Sequence, residues 1–143
     1  MYFGGYNRCG KGSRVWRTFE GFHQQTNKVM FSGRIWTIDS WDSETFTVKI
    51  MNEAGGVLAE KTWTGNNFQK KGTVTTNCPA TPGWADGFFN VELEAPYKAT
   101  DGKVTVEITT TIDQGANDES LGWSELEFSY EFDANQQPTP TPV

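Results

Sequence analysis

The chain has 143 residues and carries 18 Asp and Glu against 12 Lys and Arg, a formal net charge of −6. That length holds a single core, and the acidic balance argues against a nucleic-acid partner, whose phosphates need clustered Lys and Arg. Ten Phe, six Trp and four Tyr exclude a disordered chain, and no apolar run approaches the ~18 residues of a membrane helix.

The first residues, Met1-Tyr2-Phe3-Gly4-Gly5, show none of the charged, apolar and small-residue regions of a signal peptide, so they leave the compartment open. Arg14 to Phe19 is a weak strand candidate. Alternation becomes strict at Val29 to Ile38, with Val29, Phe31, Gly33, Ile35 and Thr37 on one face and Trp36 on the other. Phe46, Val48 and Ile50 repeat the pattern, Val57 to Thr64 does so weakly, and Phe89, Val91, Leu93 and Ala95 restore it. Val104, Val106 and Ile108 follow, then Leu126, Phe128, Tyr130 and Phe132. A period of two with one apolar face marks strands, and no stretch carries a helical stripe.

Asn52 to Gly56 reads as a hairpin loop, Asp101-Gly102 as a hairpin turn, and Pro79 to Gly83 as a longer break. Seven or eight such strands predict an all-β, antiparallel β-sandwich, jelly-roll-like, over residues 1–133. From residue 134 the alternation stops, and Pro138, Pro140 and Pro142 predict an extended Pro/Thr-rich tail over 134–143. Such a tail suits a linker or stalk with Thr139 and Thr141 open to O-glycosylation, and a frayed terminus is the plainer reading.

Cys9 and Cys78 would close a loop of roughly 70 residues if bridged, worth about 4 kcal/mol in chain entropy. Two buried thiols are the alternative. A lone histidine, His23, and the lack of a Cys-x-x-Cys pair argue against zinc.

Three acidic clusters fall where strands stop or start: Asp39-Ser40-Trp41-Asp42-Ser43-Glu44, Trp84-Ala85-Asp86, and Asp113 to Ser120 with Asp118 and Glu119. In a sandwich such loops can meet at one rim. Carboxylates without nitrogen or sulfur donors suit a hard cation, so calcium held by Asp39, Asp42, Glu44, Asp86, Asp118 and Glu119 is one expectation. Turn-capping by Asp39, Asp86 and Asp118 is the other. No nucleophile elbow or phosphate loop accompanies the acids, and carboxylates spread over loops do not make a glycosidase, so no enzymatic activity is expected. Trp41 and Trp84, inside acidic clusters, are expected to close the core, while Trp63 is left between core closure and stacking on a sugar ring.

Gly4-Gly5-Tyr6-Asn7, Gly10-Lys11-Gly12-Ser13, Ile38-Asp39-Ser40-Trp41-Asp42-x-Glu44, Cys78 followed by Trp84-x-Asp86, and Thr111-Ile112-Asp113-Gln114 with Asp118-Glu119-Ser120 occur in that order. The order resembles a β-sandwich module of large surface proteins of ciliated protists. A related pattern occurs in bacterial extracellular proteins with calcium-binding repeats. The chain departs from it at Leu121, where that pattern has tryptophan, and at Pro79. The resemblance implies an extracellular, surface-associated module without enzymatic activity, a setting in which a Cys9–Cys78 disulfide would persist.

The expected function is therefore an extracellular structural or interaction module. It would be a subunit or repeat of a cell-surface coat, appendage or filament, packing against itself or sister modules, with no membrane insertion. A carbohydrate-binding module is the alternative. Few prolines protect the strand candidates, so an edge or terminal strand is expected to dock onto a neighbouring subunit.

Overall fold

The computed structural model describes residues 2–4, 8–39, 41–66, 87–116 and 119–133. They form eight strands, β1 (Tyr2–Gly4), β2 (Arg14–Phe19), β3 (Thr26–Asp39), β4 (Asp42–Met51), β5 (Val57–Asn66), β6 (Gly87–Pro96), β7 (Val104–Thr110) and β8 (Glu119–Phe132), with one 3-10 turn at Ala99–Asp101. One sheet has the order β1-β8-β3-β6 and the other β2-β7-β4-β5, and every pairing is antiparallel. First pairs with last, second with seventh, third with sixth and fourth with fifth: a long hairpin rolled up, which is the jelly-roll order. The expected antiparallel sandwich is thus the fold. The Pro/Thr-rich segment 134–143, with Thr139 and Thr141, lies outside the described residues.

Alternation becomes a core because each strand turns one face inward. Val29, Phe31 and Ile35 of β3, Phe46, Val48 and Ile50 of β4, Val91 and Ala95 of β6, and Val104, Val106 and Ile108 of β7 are all buried. Gly33 keeps its inward place because a Cβ there would lie 2.5 Å from Leu126 Cδ2. Leu126 in effect fills the side-chain space of Gly33. Opposite it, β8 changes phase through a bulge between Ser32 and Arg34, with Glu125 at φ 55°. Before the bulge Leu121 is buried, and after it Phe128 packs against the core.

The loop Asn52–Gly56 is the expected hairpin: it joins the paired strands β4 and β5, with Asn52 N–H donating to Gly56 O at 2.8 Å. Asp101-Gly102 is not a hairpin turn. It links β6 to β7, which belong to different sheets, so the chain crosses over there. Asp101 ties this crossover down, accepting from Lys98 N–H at 2.9 Å and from Asn52 Nδ2 at 3.3 Å. With the carboxylate buried, Asp101→Ala should cost about 1–2 kcal/mol, read as a lower urea midpoint at unchanged slope.

Candidate functional site

At the end of the sandwich where β3 hands over to β4, Trp41 closes the core. Its side chain is fully buried and its indole N–H donates to Ser120 O of β8 at 2.9 Å. The expected core closure by Trp41 is what the structure has. Immediately after it the chain starts β4 through an irregularity between Asp42 and Thr45, with Ser43 at φ 114°. Bulges at strand ends commonly re-aim side chains next to functional sites. Asp42 N–H donates to Glu44 Oε2 at 2.6 Å, so the two acids are held together by the backbone of one turn.

Glu44 is in phase with Phe46, Val48 and Ile50, and Glu119 is in phase with Leu121. Each therefore points inward from a core-facing position at the end of its strand, one from each sheet. Glu44 is nearly buried, Glu119 fully so, and Asp42 is exposed. Carboxylate oxygens of Asp42, Glu44 and Glu119 lie within 4.8 Å of one another. Among the described residues neither oxygen of Glu119 has a hydrogen-bond partner. None of the ion pairs among the described residues involves any of the three.

The electrostatics follow from that arrangement. Burial, then the charges of Glu44, Asp113 and Asp42, push the Glu119 carboxyl up to about 7, and the Gln114 backbone opposes this without reaching hydrogen-bond geometry. Burial and the neighbouring Asp42 carboxyl also raise Glu44. An unpaired buried carboxylate is costly, and low local dielectric enlarges repulsion between like charges.

Of the six acids expected to hold a cation, Asp42, Glu44 and Glu119 come together. Asp39 ends β3 directly opposite Glu119 in the register. Asp86 and Asp118 lie outside the described residues, as do Trp84 and Cys78. Cys9 is half-buried beside the core, where burial pushes its thiol up. Asp113 joins the site through its field on Glu119; its place in the third acidic cluster was the only signal for it.

Trp63 pairs with Phe46 across β4 and β5, and the two rings stack at 5.2 Å. Its ring therefore serves the core, while its edge borders a shallow depression of about 390 Å³ with Lys61, Asn90 and Glu92. The outward face of the β3–β6 pair carries a second aromatic group, with Trp36 and Phe88 rings 5.2 Å apart and the Arg34 guanidinium 4.6 Å from the Phe88 centroid.

The sandwich is open along one side. β1 pairs with β8 only over Gly122 to Ser124, so among the described residues Glu125 to Phe132 have no neighbour on that edge. β2 is the edge of the other sheet. Between the two edges runs a groove of about 380 Å³ lined by Val15, Trp16, Phe19, Ile108, Leu126 and Phe128, among others. Of the six large exposed hydrophobics among the described residues, four lie on these two edges: Trp16, Leu126, Tyr130 and Phe132.

No family model matches the chain, and no curated protein matches it. Several solved chains resemble this one weakly, two of them as follows. One is an arabinose-bound MgGH51 α-L-arabinofuranosidase, at 20% identity and a TM-score of 0.42, covering 87% of this chain and 18% of that one. The other is a chain of the T13 IBDV viral particle, at 15% identity and a TM-score of 0.35, covering 86% of this chain and 30% of that one. The chain thus spans less than a third of either.

Proposed function

We propose that the chain is a structural interaction module, working outside the cell, whose open side docks a second copy of itself. The observation that carries the reading is the outer edge of β8 from Glu125 to Phe132, unpaired among the described residues and flanked by an exposed apolar groove. Unpaired strand edges invite pairing, and exposed apolar patches mark contact surfaces.

Charge selects the partner edge. β8 presents Glu125, Glu127 and Glu131 to solvent, the first and last of them beside Arg34 and Lys28 of β3, whereas β2 presents Arg17 and Arg14, the latter paired with Glu107. Two β8 edges would set acids beside acids. A two-fold axis through the groove instead places β2 of each copy against β8 of the other, satisfying both edges with one self-complementary patch. Such a pair is a building block for a coat, appendage or filament, and no catalysis enters it. In that extracellular setting a Cys9–Cys78 bridge and glycosylated Thr139 and Thr141 would belong to the same design.

Sedimentation of the whole protein at micromolar concentration should show a dimer. Trp16→Ala with Glu127→Lys should give a monomer that melts within a few degrees of the parent, because both side chains are exposed on the open side. A monomeric parent, or a dimer that survives both substitutions, would overturn the reading. Carbohydrate binding is the second reading, favoured by Trp36, Phe88 and Arg34 on the outer face. Retention on immobilised glycans that Phe88→Ala removes would favour it instead.

A further inference from the structure

We propose that Asp42, Glu44 and Glu119 bind one hard divalent cation, Ca²⁺, which clips the two sheets together at the Trp41 end. The site does not depend on the docking reading, since it lies at the strand ends and not along the open side.

Three features converge. First, ligands held at about 2.3–2.6 Å from one ion are at most about 5 Å apart. Carboxylate oxygens from all three residues lie within 4.8 Å of one another, so a single ion reaches them together. Second, Glu119 is fully buried and neither of its oxygens has a partner among the described residues. Buried polar groups are almost always satisfied, so two orphaned oxygens aimed at two further carboxylates point to something that binds between them. Third, the donors are all oxygens, which suit Ca²⁺ or Mg²⁺ over the nitrogen- and sulfur-loving transition metals. Ca²⁺ fits better than Mg²⁺ because it accepts several carboxylates in flexible geometry, whereas Mg²⁺ keeps most of its water.

The position gives the ion a mechanical role. Glu44 belongs to the β2-β7-β4-β5 sheet and Glu119 to the β1-β8-β3-β6 sheet. Among the described residues no hydrogen bond joins these two side chains across the gap. Each is held by local backbone: the Glu44 carboxylate accepts from Asp42 N–H, and Glu119 N–H donates to Gly115 O at 3.0 Å. An ion between them replaces repulsion across the sheets by a shared ligand.

Tb³⁺, which takes Ca²⁺ sites, provides the probe, because the Trp41 indole adjoins Asp42 and is bonded to Ser120 and can sensitise its emission. Tryptophan excitation of the whole protein with Tb³⁺ should give sensitised emission that Ca²⁺ displaces and equal Mg²⁺ does not. Glu119→Gln and Glu44→Gln should each abolish it, while Asp101→Asn, at the other end of β4, should leave it intact. Saturating Ca²⁺ should also raise the melting temperature of the parent by roughly 5–10 °C and leave Glu119→Gln unmoved. Melting of Glu119→Gln in chelator shows separately that this variant folds. Emission that is missing in the parent, that persists in both glutamine variants, or that Mg²⁺ displaces as well as Ca²⁺ would overturn the assignment.

Discussion

Metal-free protein should be about 3 kcal/mol less stable at pH 8 than at pH 4.5, with the loss concentrated between those values. Glu119 in the folded chain holds its proton up to about pH 7, against the ordinary value of 4.5. Between these two values the native state therefore binds more protons than the unfolded state. Stability falls wherever the native state is the better proton binder, so raising the pH through this window destabilises the fold. The shift between the two values, at about 1.4 kcal/mol per unit, sets the size of the loss. Glu44, raised by burial and by Asp42, acts in the same direction. Glu119→Gln removes the charge while keeping the shape, so it should melt roughly 10 °C above the parent at pH 8 in chelator and near the parent at pH 4.5. Calorimetry at both pH values decides the matter: a parent that gains stability on going from pH 4.5 to 8 would mean that the buried acid is compensated by a charge outside the described residues.

Much of this molecule is legible in its residues, and where legibility stops there are physical reasons. Strands β3, β4, β6 and β7 announce themselves because each keeps one inward face over most of its length. Only the second half of β8 could be read. Glu119, Leu121 and Trp123 share one parity and Leu126, Phe128 and Tyr130 the other, and the bulge at Glu125 that separates them leaves no mark in composition. β1 is three residues long and exists because β8 offers it an edge, a tertiary cause that no local pattern encodes. The crossover at Asp101-Gly102 looks like a hairpin turn because its residues suit both, and only the sheet assignment separates the two.

The acidic site was half legible. Carboxylates at strand ends could be listed, but which clusters meet depends on the jelly-roll order that brings the start of β4 to the start of β8. One signal was available locally: Glu44 stands two residues before Phe46 in the same inward phase, and an acid on the core face of a strand needs either a partner or a proton. Glu119 carried the same signal, hidden behind the bulge.

Trp41→Ala should be the most damaging single substitution at this end of the molecule. The indole is fully buried and fills the space between the start of β4 and the start of β8, and such truncations cost about 3–5 kcal/mol. It also leaves Ser120 O, at a buried residue, without the indole donor that it now has at 2.9 Å. Against a total stability of about 5–15 kcal/mol for a domain of this kind, the variant should be partly unfolded at 37 °C. Trp41→Phe separates the two contributions, since it keeps most of the ring volume and loses only the N–H; a loss of about 1–3 kcal/mol is expected. Gly65 tests the same packing from the facing strand, because a Cβ there would lie 2.5 Å from Trp41 Cε3. Gly65→Ala must therefore displace the indole, and since Trp41 directly precedes Asp42 it should weaken Ca²⁺ binding as well as lower the urea midpoint. If Gly65→Ala matched the parent in both measurements, the indole would have room to move, and the tight closure of this end by Trp41 would be wrong.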